Sequence, residues 1–184
     1  MVQRRTIAMI KFEATKLHPD AKLPARSTSK SAGYDFFAAE DVIIPSYKKL
    51  MKGLNGYLAS EIPYPLADLK NITKQTGLRP TLVTTGVKCI MEDNMYLSIY
   101  SRSSVPLNDW LILANSTGII DSDYANNPDN DGEISFQFIN FSPVDIYIKK
   151  GDKIGQGIIN TFVLTDDDNA IGERTGGFGS TDHD

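Results

Sequence analysis

The chain has 184 residues, 41% of them hydrophobic and 23% charged, with a net charge of -4. That length suffices for one domain with a buried core, and an acidic balance without a basic stripe excludes a partner recognised through a nucleic-acid backbone. The lone Cys89 leaves no intrachain disulfide and fits a reducing, cytoplasmic setting. No apolar run approaches the roughly 20 residues that cross a membrane. Residues 7–10 are too short for a signal-peptide core. The two histidines, His18 and His183, make a histidine-built metal site unexpected.

In chain order, residues 7–12 (IAMIKF) read as a first strand, and 16–30 as a loop in which His18, beside Pro19, is a loop residue rather than a ligand. The run SAGYDFFAAEDVIIP at 31–45 has strand character, with Asp35 among aromatic residues. A carboxylate there either anchors backbone donors or lies near a metal or partner charge. Residues 46–80 break the rhythm with Gly53, Gly56, Pro63, Pro65, Gly77 and Pro80. Only 66–75 predict a short amphipathic helix there. The stretch reads as an insertion, either a surface elaboration or a site for a protein partner.

Strands follow at 81–87 and 95–100, rich in β-branched and aromatic residues. The second ends in Ser101-Arg102-Ser103-Ser104, which is either an exposed polar strand end or a compact set of phosphate donors. Residues 111–124 (LILANSTGIIDSDY) have two apolar arms around a polar tip, the pattern of a β-hairpin. Its backbone row, with the amide of Asn115, could read the edge of a flat heterocycle, and Asp121 and Tyr124 would stand at the mouth. Residues 125–132 (ANNPDNDG) are a polar turn whose spacing does not fit a calcium loop. Strands are expected at 134–140, 144–148 and 153–164, the last carrying Gln156, with a solvated acidic turn at 166–168.

The tail from 172 to 181 is too glycine-rich to hold a shape alone, yet Arg174, Phe178, Ser180 and Thr181 could fold over a nucleotide. No GxxxxGK(S/T) loop is present, so a P-loop fold is excluded. Many short strands with almost no long helix predict an all-β sandwich or jelly roll.

Five stretches stand in order: AGYDFFAAED, SIYSRSS, NSTGIIDSDY, GDKIGQ and RTGGFGST. Together they resemble the ordered motifs of the trimeric dUTP diphosphatases (dUTPases), over nearly the whole chain from 12 to 181. The resemblance implies a jelly-roll-like β-barrel or sandwich over residues 1–165, homotrimeric, with a C-terminal arm over 166–184. It implies hydrolysis of dUTP to dUMP and pyrophosphate with Mg²⁺, which rides on the triphosphate and water rather than on a protein cage. Asp121 matches the water-activating aspartate. Asn115 and the hairpin backbone at Gly118 and Ile120 match the uracil-reading edge, and Tyr124 the tyrosine beneath the deoxyribose. Arg102, Ser103, Ser104 and Gln156 match phosphate-contacting positions, Asp35 a supporting aspartate. Arg174, Phe178, Gly179, Ser180 and Thr181 match the arm, which commonly reaches a neighbouring subunit's site.

The chain departs from the pattern in three places. Ser104 stands where Gly is usual, Thr175 alone separates Arg174 from Gly176, and the loop at 125–132 is longer than usual. Two other readings follow from the same residues. A dCTP deaminase would need a glutamate where Gln137 stands. Some phage-type relatives use the nucleotide-closed state as a signal to a protein partner, a role the insertion at 46–80 would serve; the setting is then a host cytoplasm.

Overall fold

Alternation in SFQFIN turns Phe136 and Phe138 to one side of their strand, and both are fully buried. They form the centre of the fold. The structure, a computed structural model, describes residues 10–52, 79–172, Arg174, Gly176 and Gly177. Eleven strands are described: β1 (Lys11–Ala14), β2 (Tyr34–Phe37), β3 (Val42–Ile44), β4 (Thr81–Thr84), β5 (Val87–Ile90), β6 (Met95–Tyr100), β7 (Leu111–Leu113), β8 (Gly118–Asp121), β9 (Ser135–Asn140), β10 (Ile146–Ile148) and β11 (Lys153–Thr161). Helices are short: α1 (Tyr47–Lys52), α2 (Ser104–Asp109) and a 3₁₀ turn, Ser122–Tyr124.

Every strand pairing is antiparallel. A four-stranded sheet runs β2-β11-β6-β8 and a three-stranded sheet runs β4-β9-β7, with the pairs β1-β5 and β10-β3 beside them. The two larger sheets meet through aromatic rings. Phe36 of β2 lies 5.7 Å from Phe136 of β9, which stacks on Phe138 at 6.1 Å. Leu97, Ile99, Val83, Ile134 and Ile154 close the same core. This is the expected all-β sandwich, with no described helix long and apolar enough to cross a membrane.

The elements differ from the sequence expectation where chain direction changes. The arms of residues 111–120 do not pair with each other as a hairpin. β7 pairs with β9 and β8 with β6, so the turn at 114–117 carries the chain from one sheet to the other. Its tip is closed by Ser116 N–H donating to the Leu113 carbonyl at 3.0 Å, with Ser116 at a left-handed φ of 55°. The single strand expected at 81–87 is two strands, β4 and β5, broken at Gly86. Its φ of +68° and close approach to His18 and Ala21 end the first ladder.

Helix α2, unforeseen in Ser104-Val105-Pro106-Leu107, begins where the phosphate-type motif ends and buries Val105. The first strand is described from Lys11 rather than across 7–12, and the expected strands at 144–148 and 153–164 are shorter, as β10 and β11. Helix α1 occupies the start of the insertion; the helix expected at 66–75 lies outside the described residues.

Candidate active site

The second turn of residues 111–124 leads straight into chemistry. β8 delivers Asp121 at its end, and the 3₁₀ turn that follows swings Tyr124 back beneath it. A cleft of about 170 Å³ is lined by Asn115, Gly118, Ile119, Ile120, Asp121 and Tyr124, with Ile99 behind them. A side chain at Gly118 would meet Ile99 Cγ1 at 2.5 Å, so only backbone can form this edge. Tyr124 is not at the mouth, as expected, but buried in the wall at 7% exposure; the half-exposed carboxylate of Asp121 is at the opening.

The opposite wall is β9. Glu133, Ser135 and Gln137 turn the same way by strand alternation and all line the cleft, while Ile134, Phe136 and Phe138 fill the core. Glu133 and Ser135 were absent from the sequence expectation, and Gln137 entered it only as the position a deaminase would fill with glutamate, although the polar–apolar alternation of 133–138 carried the signal. Glu133 is held by the Gly86 N–H at 2.8 Å and faces His18 Nε2 at 3.5 Å. Burial pushes its carboxyl above the ordinary value, against the opposing pull of His18 and the Gly86 N–H.

Two described residues of the tail, Arg174 and Gly177, line the same cleft. Arg174 donates Nε–H to Asp123 at 2.7 Å and an Nη–H to Asp121, and its guanidinium lies 5.8 Å from the Tyr124 ring. Burial works against the charged guanidinium, but the two carboxylates outweigh it and raise its pKa further. Gly177 packs on the same ring, where a Cβ would meet Tyr124 Cε2 at 2.9 Å. Phe178, Gly179, Ser180 and Thr181 lie outside the described residues.

The remaining motif residues form a second cavity of about 230 Å³, lined by Ser27, Ser31, Gly33, Asp35, Arg102, Ser103 and Gln156. Register explains the grouping: Gln156 of β11 is paired with both Asp35 of β2 and Tyr100 of β6. A bulge at Ile154 sets that register. Gln156 donates to the Ser101 carbonyl at 3.4 Å, and the Ser103 hydroxyl makes no capping bond to α2. Ser104, expected here, is drawn into α2 and does not line this cavity. The two cavities share no lining residue.

Asp35 is an anchor. It accepts from Ser27 Oγ at 2.6 Å and Lys153 Nζ at 2.7 Å, with Arg102 Nε at 3.5 Å. Burial opposes its ionisation, but Lys153, Ser27 and the charge of Arg102 together hold its carboxyl below the ordinary value. Its contribution to stability is therefore present above the unfolded carboxyl pKa and is lost as pH falls through the lower folded value. We expect Asp35→Asn to unfold at lower urea concentration than the parent at pH 7, with the gap closing on titration towards pH 3. A gap independent of pH would contradict the ion-pair role.

Among the described residues, no three His, Cys, Asp or Glu groups come close enough to hold a metal. The donors around the second cavity suit anionic oxygens, and Asp35 is already paired.

Comparison with known proteins gives the family. The dUTPase family model matches residues 64–182. The deoxyuridine 5'-triphosphate nucleotidohydrolase of Lactococcus lactis is 37% identical over 174 residues, covering 92% of this chain and 95% of that protein. The Helicobacter pylori (strain J99) enzyme of the same name is 27% identical over 177 residues, covering 94% and 97%. Among solved structures, the dUTPase from Streptococcus mutans aligns with a TM-score of 0.64 at 30% identity, over 84% of this chain and 98% of that one. A dUTPase from Staphylococcus aureus phage phi11, described for its structural Mg(II) ion, shares the fold at a TM-score of 0.56 and 17% identity, over 88% and 96%. With the family model spanning well over half of its length and a relative 37% identical along nearly all of it, the chain belongs to the dUTPase family.

Proposed function

We propose that the chain hydrolyses dUTP to dUMP and pyrophosphate, with Asp121 directing a water molecule onto the α-phosphorus. The observation that carries this reading is the position of a half-exposed carboxylate at the end of a narrow, backbone-edged cleft. The backbone of the turn at 115–117 and of β8 after it offers donors and acceptors, and the amide of Asn115 adds one of each. On this reading the slot takes the planar uracil ring and excludes the thymine methyl. Tyr124 beneath the sugar excludes a ribose 2'-hydroxyl.

Arg102, Ser103 and Gln156 supply donors for the phosphates, with Asp35 holding Arg102 in place. Because these residues line a different cavity from Asp121 in one chain, the complete site needs the phosphate face of one subunit against the base face of another. A homotrimer meets that need. The exposed apolar residues Leu107, Trp110, Val163 and Leu164 support self-association. The arm over 166–184 closes the site, Phe178 stacking on the base and Gly179, Ser180 and Thr181 meeting phosphates. In the chain alone Arg174 is shared between Asp121 and Asp123. A polyanionic nucleotide competes for the guanidinium, so arrival of substrate frees Asp121 to accept a proton.

Mg²⁺, if brought by the triphosphate, would screen its charge and stabilise the leaving pyrophosphate. The chain's own contribution is to orient the water, accept its proton at a carboxylate oxygen and exclude bulk solvent by arm closure.

The test is a nucleotide panel with Mg²⁺, following pyrophosphate release from dUTP, dTTP, UTP and dCTP, and ammonia release from dCTP. We expect kcat/KM for dUTP to exceed the others by about two orders of magnitude or more. Comparable turnover of dTTP would contradict the narrow slot. Ammonia from dCTP would favour the deaminase reading, for which the residue at 137 is the neutral Gln137.

A further inference from the structure

The loop at 125–132 is a part of this chain that the reading above leaves unused, and it touches one site residue directly. Asn130 Nδ2–H donates to the Tyr124 hydroxyl at 2.7 Å, and that hydroxyl reaches the Glu133 carbonyl at 3.4 Å. We infer that Asn130 is a positioning residue for sugar recognition: its amide pins the Tyr124 phenol, fixes the ring beneath the sugar, and so sets discrimination between 2'-deoxyribose and ribose. This inference rests on the role assigned to Tyr124 under Proposed function.

A pin works only if it is itself held. The Asn130 side-chain oxygen accepts from Gly132 N–H at 3.1 Å, and its carbonyl accepts from Glu133 N–H at 3.1 Å. Asp131 N–H donates to the Asn127 carbonyl at 2.7 Å, closing the loop on itself. A buried lysine ties the loop to β5: Lys88 Nζ donates to Asn126 Oδ1 at 2.6 Å and to Asp131 Oδ1 at 3.2 Å. The other oxygen of Asp131 accepts from the backbone N–H of Lys16 at 3.0 Å. Asn126 and Asp131 take left-handed φ values of 63° and 59°, which asparagine and aspartate tolerate better than most residues.

The segment is thus a compact loop with its own internal bonds, tied to two other parts of the fold. It presents one free end, the Asn130 amide, to the phenol. Arg174 and Gly177 lie against the ring of Tyr124, so tipping of the ring would also shift the arm. A ring held by packing alone could tip enough to admit one more oxygen atom; a ring bonded at its far end could not.

The experiment compares kcat/KM for dUTP and UTP in Asn130→Ala, Tyr124→Phe, the double variant and Tyr124→Ala, each with Mg²⁺. Asn130→Ala and Tyr124→Phe break the same bond from opposite ends, and each is expected to lower the dUTP/UTP ratio about tenfold, chiefly by raising turnover of UTP. The double variant should lose no more than Tyr124→Phe alone, which already removes the bond to Asn130 together with the longer contact to the Glu133 carbonyl. Tyr124→Phe leaves every loop bond of Asn130 intact, so it reads out the phenol even if Asn130→Ala folds poorly. A ratio within twofold of the parent in both single variants, or losses that multiply in the double variant, would overturn the inference. An unchanged ratio in Tyr124→Ala would overturn the sugar-binding reading of Tyr124 itself, a separate failure from that of the pin.

Discussion

Asp121→Asn is expected to lower kcat for dUTP by about a thousandfold, within the range general-base catalysis contributes, while nucleotide affinity stays within a few-fold. The substitution preserves shape: an amide oxygen can still accept from Arg174, which keeps its second partner, Asp123. What is lost is the capacity to take a proton from water, and no other described carboxylate can replace it. Asp123 lies beside the same guanidinium without lining the cleft. Glu133 lines the cleft, but one of its oxygens is held by the Gly86 N–H and faces His18, and it is buried at 6% exposure whereas Asp121 is half-exposed. Pyrophosphate release measures the first quantity and calorimetric titration with a non-hydrolysable dUTP analogue the second. Turnover at the parental rate would contradict the role of Asp121; a parallel loss of binding and turnover would mean that the carboxylate holds the site together rather than activating water.

The largest stability effect is expected far from that carboxylate. Gly155 lies in β11 directly over the Phe136 ring, and a Cβ there would meet Phe136 Cε1 at 2.0 Å and Cζ at 2.5 Å. Phe136 cannot yield, because it is fully buried between Phe36 and Phe138. The glycine is therefore required for the sheets to approach, independent of any turn. Overpacking of this kind costs about 3 kcal/mol, so Gly155→Ala should lower the denaturation midpoint by about 10 °C. The bulge that sets the Gln156–Asp35 register begins one residue earlier, at Ile154, and the variant should also weaken phosphate binding. A midpoint within about 2 °C of the parent would show that the sheets can separate without cost.

Strands were legible where one face of a sheet is buried and alternation is clean, as in β9, or where β-branched and aromatic residues cluster, as in β6. The all-β architecture follows from those runs and from the shortage of long helical periods. Changes of partner were not legible. A local pattern of two apolar arms around a polar tip reads as a hairpin, and only long-range pairing decides that β7 and β8 join different sheets. The break at Gly86 depends on a backbone angle and on His18 and Ala21 lying against it, all beyond a single-strand reading. Helix α2 was hidden by its Pro106, a residue tolerated in a first turn but easily read as a breaker.

The candidate site was legible by motif, and its residues fall into two cavities for reasons of topology. Asp35, Arg102 and Gln156 meet because β2, β11 and β6 are adjacent, whereas Asp121 lies on β8 at the sheet's far edge. Glu133, Ser135 and Gln137 were legible in principle from alternation alone. The bond from Asn130 to Tyr124 was not, since a polar loop of Asn, Asp and Gly reads as solvated turn until its partners are known.

The most direct test of the central claim is a single turnover of dUTP with Mg²⁺ in water enriched in oxygen-18. Attack on the α-phosphorus, directed by Asp121, predicts the label in dUMP and none in pyrophosphate. Label in the pyrophosphate, or release of dUDP and labelled orthophosphate, would mean that water meets a different phosphorus and that the carboxylate does not stand where this account requires.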